Sequence, residues 1–533
     1  MTKHSLFIKS LLAFQYMLLF GLSVLLLLKS YTSLHWRMEH DTPVLYYAAF
    51  LMDKYGRIPY RDIFDTNMPG TFAFHYVIGK LFGYGDDAFR VIDLSLLGVL
   101  LAVTYKFMSR FGRQAALLAA LLFGLMYLST GQATSLQRDY IGIIPVAFAL
   151  LCIPSKLDTP VRLYRFAIIG LLFGMSVLFK PHIGIALPVI FATLLVFRWH
   201  AQQKSARDFI KCAAVSALAL LTPLAIAMVW LAFDSALAPF VDLVFTYLPM
   251  HNSLTGDYQT IYGLDRVIYL IWGGLSFGGF GLMILFSLLA YYHVAMEAGK
   301  DEAMRISLTC LGLCTLAYAI YPVIAGKFWL YHYIPLLYFC SLSGGLCLYV
   351  GIQHNPDISF RTQKVIMLAS LAVIIAVQLP IVRFISYMDY DFHEGRKAHS
   401  PKNGRVDEIA GWLKRHLRPG DTVQPLDWTG GSIQAMLIAK AVLATPFMAD
   451  YQFYLHVSSP YIQELRHTFI GQLREATPRF IIDVNTNKPW VSGEDTTREF
   501  PELQQFIAQC YLKRFEGNGY LIYERNLDCT KPS

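Results

Sequence analysis

Long apolar runs separated by short basic loops constrain this chain more than any other feature. Eleven runs lie between residues 6 and 386, and most approach the ~20 residues that an α-helix needs to cross a bilayer. Only 15% of the residues are charged and 55% are hydrophobic, whereas about a quarter are charged in ordinary globular domains. The sequence therefore predicts a polytopic α-helical membrane protein with about 11 transmembrane helices. The predicted spans are 6–28, 91–108, 114–130, 139–154, 165–179, 183–198, 211–233, 266–293, 305–325, 330–352 and 364–386.

Basic residues in the loops predict the orientation of the chain. Five loops carry at least two Lys or Arg, while the short loops on the other side carry single cations. Because Lys and Arg accumulate in cytoplasmic loops, the N-terminus is predicted inside and the C-terminus outside. Residues 29–90 and 234–265 then form two large outer loops, the second with an interfacial helix. The basic loops are 106–113, 155–165, 198–211, 294–305 and 353–364.

Three predicted spans, 139–154, 165–179 and 183–198, are short, so each is a re-entrant segment, a tilted helix or a full crossing. Joining residues 165–198 into one helix would bury Lys180 at mid-bilayer and reverse the side of every later basic loop. The sequence therefore predicts two helices that turn at the proline beside this lysine.

The chain changes character near residue 400. Residues 1–390 are predicted to form the membrane domain, and residues 400–533 a small α/β domain on the outer face. Helical periodicity is present in "GRVDEIAGWLKRHL", "SPYIQELRHTFIGQLREA" and "PELQQFIAQCYLKRF". The stretches "RFIIDV" and "YLIYE" are typical of strands.

Cysteine usage and sequons bear on the compartment. Six of the eight cysteines lie in or beside apolar segments, where a thiol behaves as a small hydrophobe. Cys510 and Cys529 lie in the tail and are predicted to pair if that compartment is oxidising. The absence of an N-x-[ST] sequon favours a bacterial protein. The predicted location is a bacterial inner membrane, with the tail on the periplasmic face.

The first outer loop gathers Asp41, Asp53, Asp62 and Asp65 in a chain that is poor in charge. For a single acid in such a loop, a solvated surface position is the simpler interpretation. Asp41 differs because apolar residues at helical spacing follow it, which predicts a short interfacial helix that begins there. A helix cap and a proton-accepting catalyst are both consistent with this position.

Several stretches of the chain resemble the GT-C glycosyltransferases. An acid at the outer end of the first helix is followed by "YYAAFLMDKYG" and "IPYRDIFDTNMPG". Further similarities are "LFKPHIG", "GKFWLYHYIPL" and the outer α/β domain, which extend the resemblance over most of the chain. The resemblance is to bacterial relatives of protein mannosyltransferases and of the aminoarabinose transferase that acts on lipid A. The chain departs from these relatives at "HDT" (40–42), where many have two adjacent acids, and at "NMP" (67–69), where many have a lysine.

The resemblance implies an inverting transferase that uses a polyprenyl-phosphate sugar, with Asp41 as the base. A carboxylate near the membrane surface can take the proton of an acceptor hydroxyl as it attacks the anomeric carbon opposite the leaving phosphate. His40, Arg61 and Asp65 are supporting candidates, which would assist the base, orient the acceptor or pair with a cation. An ordinary turn acid is the alternative for Asp65.

Five basic side chains fall at predicted outer ends of helices, where they would stabilise the charge of a departing lipid phosphate. Their alternative role is interfacial anchoring, because Lys and Arg snorkel and the neighbouring Trp and Tyr form aromatic belts. Their convergence on one face favours phosphate binding, since charges at the membrane boundary are costly without a partner. The five are Arg138, Lys180, His182, Lys327 and His332.

Other kinds of site have little support in the sequence. It contains no Gly-rich phosphate loop, no nucleophile-elbow serine and no clustered metal ligands. No cofactor is predicted, and a divalent metal ion is left open. His251 stands apart, and an isolated His is usually a surface or packing residue. The basic residues form no aromatic-interleaved stripe, so no nucleic-acid partner is predicted.

The hypothesis from the sequence is a GT-C-like enzyme that transfers a sugar from a polyprenyl phosphate in the membrane to a periplasmic acceptor. The acceptor is lipid A or another part of lipopolysaccharide, a different cell-envelope glycan, or a protein. A flippase of lipid-linked glycans is a rival class, but it would place ionisable residues along mid-bilayer helices, whereas those here gather at one boundary. A non-catalytic scaffold is the third class, and its outer-loop acids would be replaceable.

Overall fold

The computed structural model describes residues 3–153, 162–202, 206–297, 302–349, 404–485 and 491–526, with residues 368, 371 and 372. Within these ranges the chain is mainly helical up to residue 349, and its C-terminal part is built around a β-sheet. The predicted eleventh span, 364–386, lies almost entirely outside the described residues, and Cys529 lies outside them as well.

Fifteen α-helices follow one another in the described residues up to position 349. Short 3₁₀ segments join several of them, and a π-helical turn separates the tenth from the eleventh. The helices are α1 (Lys3–Thr32), α2 (Thr42–Tyr55), α3 (Pro69–Phe82), α4 (Asp86–Met108), α5 (Arg113–Ser129), α6 (Arg138–Leu151), α7 (Leu163–Phe179), α8 (Ala186–Gln202), α9 (Ala206–Phe233), α10 (Leu237–Asp242), α11 (Leu248–Ser253), α12 (Gly263–Ser276), α13 (Gly281–Glu297), α14 (Glu302–Ala325) and α15 (Ile334–Gly345).

Helical segments lie at each of the ten predicted spans before residue 353. Among the described helices, four have the length and apolar composition needed to cross a bilayer, and a bent pair makes a fifth if it is one span. The four are Ala13–His35, Asp86–Phe111, Arg207–Phe233 and Met304–Ala325. Three further apolar helices, α5, α7 and Pro181–Phe197, are shorter, so the full count of crossings stays a prediction.

The predicted span 266–293 is not one continuous helix. Its two halves, Gly263–Gly279 and Gly281–Met296, meet at an angle of 75°. Residues 277–279 adopt positive φ angles between 48° and 81°, which a right-handed helix cannot contain. The glycines of "SFGGFG" allow this turn, so the predicted span at 266–293 is broken near its middle.

Helix α2 begins directly after Asp41 and is enclosed by the protein. Pro43 in its first turn and Gly56, whose φ of 61° is left-handed, set its two ends. Residues 45–49 have no exposed surface. The predicted short helix is present, but other parts of the chain cover it. The Tyr47 hydroxyl, for example, donates to the carbonyl of Ala441 over 2.9 Å.

The C-terminal region, defined as residues 404–526, alternates helices and strands. Its elements are α16 (Arg405–His416), β2 (Thr422–Leu426), α17 (Ser432–Ala439), β3 (Val442–Leu443), α18 (Pro460–Ala476), β4 (Phe480–Val484), β5 (Ser492–Gly493), α19 (Pro501–Cys510), β6 (Tyr511–Gly517) and β7 (Tyr520–Arg525); β1 (Gln259–Thr260) precedes them in the second outer loop. The five-stranded sheet has the order β3-β2-β4-β7-β6. Strands β3, β2 and β4 are parallel, and β7 is antiparallel to its neighbours β4 and β6. The carboxyl ends of the parallel strands therefore lie at one edge of the sheet.

Four of the five elements predicted in this region are present, as α16, α18, β4 and β7. The fifth is only partly helical, because the helix predicted from "PELQQFIAQCYLKRF" ends at Cys510. The following residues form β6, which pairs along its length with β7. Strand pairing overrides the local helical spacing here, so this part of the prediction was wrong.

Three sets of contacts attach the C-terminal region to the outer loops. The backbone N–H of Phe64 donates to the carbonyl of Pro446 over 2.8 Å. Arg37 lies 2.9 Å from Asp86 in α4 and 2.9 Å from Asp407 in α16. Strands β1 and β5 form a separate two-stranded parallel sheet. The C-terminal region therefore packs directly over the first outer loop.

Candidate active site

The carboxylate of Asp41 is held by side chains from other parts of the chain. Asp41 is the N-cap residue of α2, but its side chain makes no capping hydrogen bond to the helix. Nη2 of Arg138 donates to its Oδ2 over 2.7 Å, and the Tyr331 hydroxyl donates to the same oxygen over 3.4 Å. Nδ1 of His40 lies 2.8 Å from Oδ1. A guanidinium, a phenol and an imidazole thus surround one carboxylate.

Strained backbone lies on both sides of this contact. His40 has a φ of 58°, and Leu136, two residues before the start of α6, has a φ of 51°. Residues with a side chain adopt such angles rarely, and the cost is of order 1–3 kcal/mol each. The Thr42 hydroxyl donates to the carbonyl of Ser135 over 3.0 Å and so joins the two segments. Strain of this kind is concentrated at functional sites.

Arg138 also links Asp41 to a second carboxylate. Its Nη1 donates to Oδ1 of Asn67. The backbone N–H of Asn67 donates to Oδ1 of Asp65 over 2.8 Å, and the Asn67 side-chain amide donates to the same oxygen. These four residues form a continuous set of contacts, here called the polar chain. Asn67 of the "NMP" motif in the first outer loop therefore links Asp65 to Arg138 in the polar chain.

The two carboxylates of the polar chain have pKa values displaced in opposite directions. Burial alone would raise the pKa of Asp41, but the charges of His40 and Arg138 hold it well below its usual range. Burial raises the pKa of Asp65, and the charge of Asp41 adds to the rise, while Asn67 and Arg138 oppose it. Asp41 is therefore ionised in the resting site, and Asp65 holds a proton more readily.

Lys327 and His251 form a buried basic pair next to the polar chain. Nζ of Lys327 lies 2.7 Å from Nε2 of His251, and 4.6 Å and 4.9 Å from the ring centroids of Tyr258 and Trp329. Burial lowers the pKa of Lys327 and of His251, and the charge of Arg138 lowers both further. Nδ1 of His251 has no hydrogen-bond partner among the described residues. An anion in this position could bond this nitrogen and would favour the charged forms of both side chains.

The other predicted phosphate-binding residues are arranged differently. Nζ of Lys180 lies 3.0 Å from Oδ1 of the buried Asp139, which also accepts a hydrogen bond from the Tyr321 hydroxyl. The charge of Lys180 is therefore already matched by a carboxylate. His182 packs edge-on against the Tyr321 ring, and His332 is buried against Trp329. None of these three predicted residues lines the cavity described below.

Arg61, another predicted site residue, also does not line the cavity that is described in the next paragraph. Its guanidinium bonds Asp62 over 2.8 Å and the carbonyl of Asp234 over 2.8 Å. It therefore joins the first outer loop to the start of the second.

A cavity of about 70 Å³, here called the polar cavity, lies between the outer loops and the C-terminal region. That volume has room for several water molecules. All four residues of the polar chain line it, and His251 lines it from α11. The C-terminal region contributes Trp428, which follows β2, and residues 448, 449, 451 and 452, which follow β3. The carboxyl edge of the sheet thus closes over Asp41.

Aromatic rings form much of the wall of the polar cavity. The ring centroid of Trp428 lies 4.3 Å from that of Tyr258 and 5.3 Å from that of Tyr451. His40 places its ring 6.0 Å from Trp329 and 6.3 Å from Trp428. Rings from the first outer loop, the second outer loop, the segment before α15 and the C-terminal region therefore meet at one point. Such a wall suits a sugar ring, which has apolar C–H faces as well as hydroxyls.

A second arginine–aspartate pair supports the segment that leads to Arg138. Arg90 and Asp93, both in α4, are fully buried and bonded to each other. Arg90 also donates to the Ser135 hydroxyl over 3.1 Å, and Asp93 accepts from the backbone N–H of Leu136 over 3.1 Å. This pair fixes the two residues that precede Gln137 and Arg138, and so positions Arg138.

Metal ligands are not grouped in the part of the chain that the structure describes, where no three His, Cys, Asp or Glu side chains are placed to hold an ion. Of the predicted disulfide, Cys510 at the end of α19 is disulfide-bonded, and Cys529 lies outside the described residues.

Comparison with known proteins gives a family model and a fold. The model described as dolichyl-phosphate-mannose-protein mannosyltransferase matches residues 67–230, a segment that contains Asn67, Arg138 and Lys180. No curated protein sequence matches the chain. ArnT from Cupriavidus metallidurans, solved bound to undecaprenyl phosphate, has a TM-score of 0.57 and 14% identity over 96% of this chain and 98% of its own. The chain belongs to the GT-C superfamily. The apo structure of the same ArnT has a TM-score of 0.56 and 15% identity over 98% of this chain and 100% of its own.

Superfamily membership confirms the resemblance noted in the first outer loop. At these identities the likeness to the solved structures is one of fold, a polytopic helical membrane protein. The family match and this shared fold together indicate that this GT-C protein is a glycosyltransferase. The matched segment ends before the second outer loop and includes neither Asp41 nor Lys327, so the roles of these two residues rest on their geometry.

Sequence reasoning missed three residues of the site. His251 looked isolated, yet it contacts Lys327, 76 positions further along the chain. Asp139 stood next to Arg138 and was not weighed as the partner of Lys180. Trp428 reaches the cavity from the C-terminal region. Only Asp139 had a local signal, because an acid in the first turn of an apolar helix needs a partner.

Proposed function

We propose that this GT-C protein is an inverting glycosyltransferase. It transfers a sugar from a polyprenyl phosphate to a periplasmic acceptor at the bacterial inner membrane, with Asp41 as the base. The observation that carries the proposal is the placement of Asp41, an ionised carboxylate in a cavity that Arg138 lines and that Lys327 borders through His251. The complex of ArnT with undecaprenyl phosphate supports the class of donor.

The donor phosphate is assigned to the space between Arg138 and the basic pair. The cations Arg138 and Lys327 come from different elements, and Lys327 has no carboxylate within ion-pair distance in the described residues. A phosphodiester placed there would accept charge-assisted hydrogen bonds from both. Its negative charge would also favour the charged form of Lys327, whose pKa is lowered by burial.

Binding of the phosphate would also activate the base. His40 and Arg138 both keep the pKa of Asp41 low, which makes the carboxylate a weak base. A phosphate that takes the N–H groups of Arg138 removes one of these two counter-charges and adds a negative charge nearby. The pKa of Asp41 then rises towards its ordinary range, so proton affinity increases only when the donor is present.

The reaction follows from these positions. An acceptor hydroxyl attacks the anomeric carbon, and its proton passes to Asp41 as the new glycosidic bond forms. The bond from the anomeric carbon to the phosphate oxygen breaks, and the polyprenyl phosphate leaves with its electron pair. Arg138 and Lys327 stabilise the charge that develops on the leaving oxygen. Attack from the face opposite the phosphate inverts the configuration of the anomeric carbon.

The outer orientation is also part of the proposal. A disulfide at Cys510 is expected to persist only in an oxidising compartment, which supports a periplasmic C-terminal region. Because this region closes over Asp41, the reaction would take place on the same side. Acceptors available there are lipid A, other envelope glycans and exported proteins.

The test is donor turnover by purified full-length protein in lipid nanodiscs. Undecaprenyl-phosphate sugars labelled in the sugar are supplied with a panel of envelope acceptors, and release of undecaprenyl phosphate and labelled product are both measured. Wild-type protein is expected to make a product of inverted configuration, and Asp41→Asn to make almost none. The matched control is Asp62→Asn, since Asp62 lies in the same loop, pairs with Arg61 and does not line the cavity.

Two results would overturn the proposal. Full turnover by Asp41→Asn would remove this residue as the base. Movement of labelled lipid across the membrane without any new glycosidic bond would identify the protein as a flippase instead.

A further inference from the structure

A second and larger cavity lies in the C-terminal region. It measures about 700 Å³, ten times the volume of the polar cavity, and is here called the sheet-edge cavity. Leu426 at the end of β2 lines it, as do Asp483 in β4 and Asn485 just after that strand. Phe500 and Leu503, at the start of α19, provide a buried apolar side. The cavity is therefore built on the carboxyl ends of two adjacent parallel strands.

The order of the strands explains why a cavity forms there. From β2 the chain crosses through α17 to β3 on one side, and from β3 it crosses through α18 to β4 on the other side. The two connections therefore leave the space above the β2–β4 junction uncovered. In open α/β sheets this topological switch point is where ligands bind.

The lining of the sheet-edge cavity favours a carbohydrate. Asp483, Asn485, Arg498 and Gln504 place a carboxylate, two amides and a guanidinium around an apolar surface that includes Phe500. Planar groups of these kinds can bond the adjacent hydroxyls of a sugar, whose C–H groups can face the apolar surface. The one cation and one anion among these four balance, which disfavours a polyanionic ligand. A volume of about 700 Å³ is in the range of pockets for ligands larger than a single sugar.

Three chain segments join the sheet-edge cavity to the polar cavity. Leu426 lines the first and Trp428, two residues later, lines the second. On the segment after β3, Tyr454 lines the sheet-edge cavity and Tyr451, three residues earlier, lines the polar cavity. The third link crosses between outer loop and C-terminal region.

In that third link, Tyr258 lines the polar cavity and Val491 lines the sheet-edge cavity. Each directly precedes a strand of the parallel pair β1–β5, in which Gln259 is opposite Ser492. Two covalent links and one strand pair thus make the cavities immediate neighbours.

We propose that the sheet-edge cavity binds the acceptor as an oligosaccharide, whose terminal hydroxyl enters the polar cavity while the preceding sugars occupy the sheet edge. This inference rests on the proposed function, because it assigns the acceptor class to the same site. The ligand is a neutral or singly charged glycan of several sugars.

The test measures binding directly and separately from transfer. Full-length protein in nanodiscs is mixed with neutral tetrasaccharides of hexose, N-acetylhexosamine and 6-deoxyhexose type and with a polysulfated tetrasaccharide. Saturation-transfer NMR detects contact, and titration gives the dissociation constant. At least one neutral tetrasaccharide is expected to bind, and the polysulfated one is not.

Two tryptophan substitutions provide a matched comparison. Gln504→Trp fills the sheet-edge cavity from its exposed rim, whereas Gln505→Trp adds the same side chain next to it, where it does not line the cavity. Gln504→Trp is expected to weaken tetrasaccharide binding about tenfold or more, and Gln505→Trp to leave it unchanged.

Each outcome separates this inference from the proposed function. Binding by the wild type that Gln504→Trp abolishes supports the cavity even if no sugar is transferred. Absence of any tetrasaccharide binding, or equal binding by Gln504→Trp and Gln505→Trp, overturns the acceptor site. It does so even where donor turnover shows that the protein is a transferase.

Discussion

Two aspartate–arginine pairs flank the short segment between α5 and α6, and they differ in their access to solvent. In the pair of Arg90 and Asp93 the side chains are 1% and 0% exposed. In the pair of Arg138 and Asp41 they are 15% and 14% exposed, and both line the polar cavity. The first pair is sealed inside the protein, and the second is open to a ligand.

The sealed pair is bonded on nearly every side. Its partners are the Ser33, Ser135 and Tyr127 hydroxyls and the backbone N–H of Leu136. The open pair instead uses Arg138 as a bridge that a phosphate can take over. The comparison teaches that similar ion pairs have separable roles here: one positions the segment before α6, and the other is available for chemistry.

The largest expected effect belongs to the open pair. Asp41→Asn keeps the size of the side chain and removes its ability to accept a proton. Because a positioned general base contributes about 10²–10⁴-fold, kcat should fall by about that factor. The melting temperature should fall less than that of Asp93→Asn, because the open pair is partly exposed and the side chain of Asp41 makes no capping hydrogen bond. A loss of folding equal to the loss of activity would make the open pair structural as well.

The sealed pair should respond in the opposite way. Asp93→Asn leaves the buried Arg90 without its carboxylate, and breaking a buried ion pair costs about 3–5 kcal/mol of stability. Thermal unfolding in nanodiscs measures this cost. Asp62→Asn, which breaks an exposed pair, should cost less than about 1 kcal/mol. The folded fraction of Asp93→Asn should turn over the donor more slowly than wild type but faster than Asp41→Asn, because the pair acts on the site only by positioning Arg138. Turnover as slow as that of Asp41→Asn would contradict the comparison.

The basic pair sharpens what the open site binds. Lys327→Met removes the ammonium group but keeps a long apolar side chain between Tyr258 and Trp329. Losing one charge-assisted hydrogen bond costs about 1.5–3 kcal/mol, so the donor KM should rise about tenfold to a hundredfold. The control is Lys414→Met, because Lys414 is exposed on α16. An unchanged donor KM would place the phosphate elsewhere.

The sequence predicted those features that depend on local pattern. Apolar runs located the helices, and helical spacing after Asp41 located α2. The break after α12 also had a local cause in "SFGGFG", but hydropathy alone does not weigh backbone conformation. The end of the helix at Cys510 depended on pairing between β6 and β7, which a local pattern does not contain.

The site itself depends on contacts between distant residues. Arg138 meets Asp41 across 97 positions, and Lys327 meets His251 across 76. The sequence brought Asp41, Arg138 and Lys327 together because all were predicted at outer ends of helices. It gave no indication that Lys180 pairs with Asp139, a contact between residues 41 positions apart. It likewise gave no reason to place Trp428 near the membrane.

The contribution of the C-terminal region should be smaller than that of the charged residues. Trp428→Ala removes a ring that contacts Tyr258 and Tyr451 in the wall of the polar cavity. An aromatic contact is worth about 0.5–1.5 kcal/mol, so kcat/KM should fall about twofold to tenfold. Trp428→Phe should retain most of the activity. Equal losses in the two variants would point to the indole N–H rather than to the ring face.

The smallest expected effect separates the two carboxylates of the polar chain. The pKa of Asp65 is raised by burial and by Asp41, while Asn67 and Arg138 oppose the rise, so Asp65 takes up a proton as the pH falls. The nearby Tyr60, Tyr247 and Tyr451 have raised pKa values, so they stay neutral at acidic and neutral pH. The phosphodiester of the donor also keeps its charge.

Protonation of Asp65 therefore removes one negative charge near the donor phosphate. The donor KM should fall about twofold to fivefold as the pH is lowered, as expected for one partly screened charge. Asp65→Asn should have the lower KM at every pH, because its side chain is always neutral. Titration of Asp41 does not change the donor KM, since the pKa of Asp41 lies well below the pH at which the enzyme is assayed. A pH dependence that persists in Asp65→Asn would transfer this titration to the basic pair of Lys327 and His251, whose pKa values are lowered by burial.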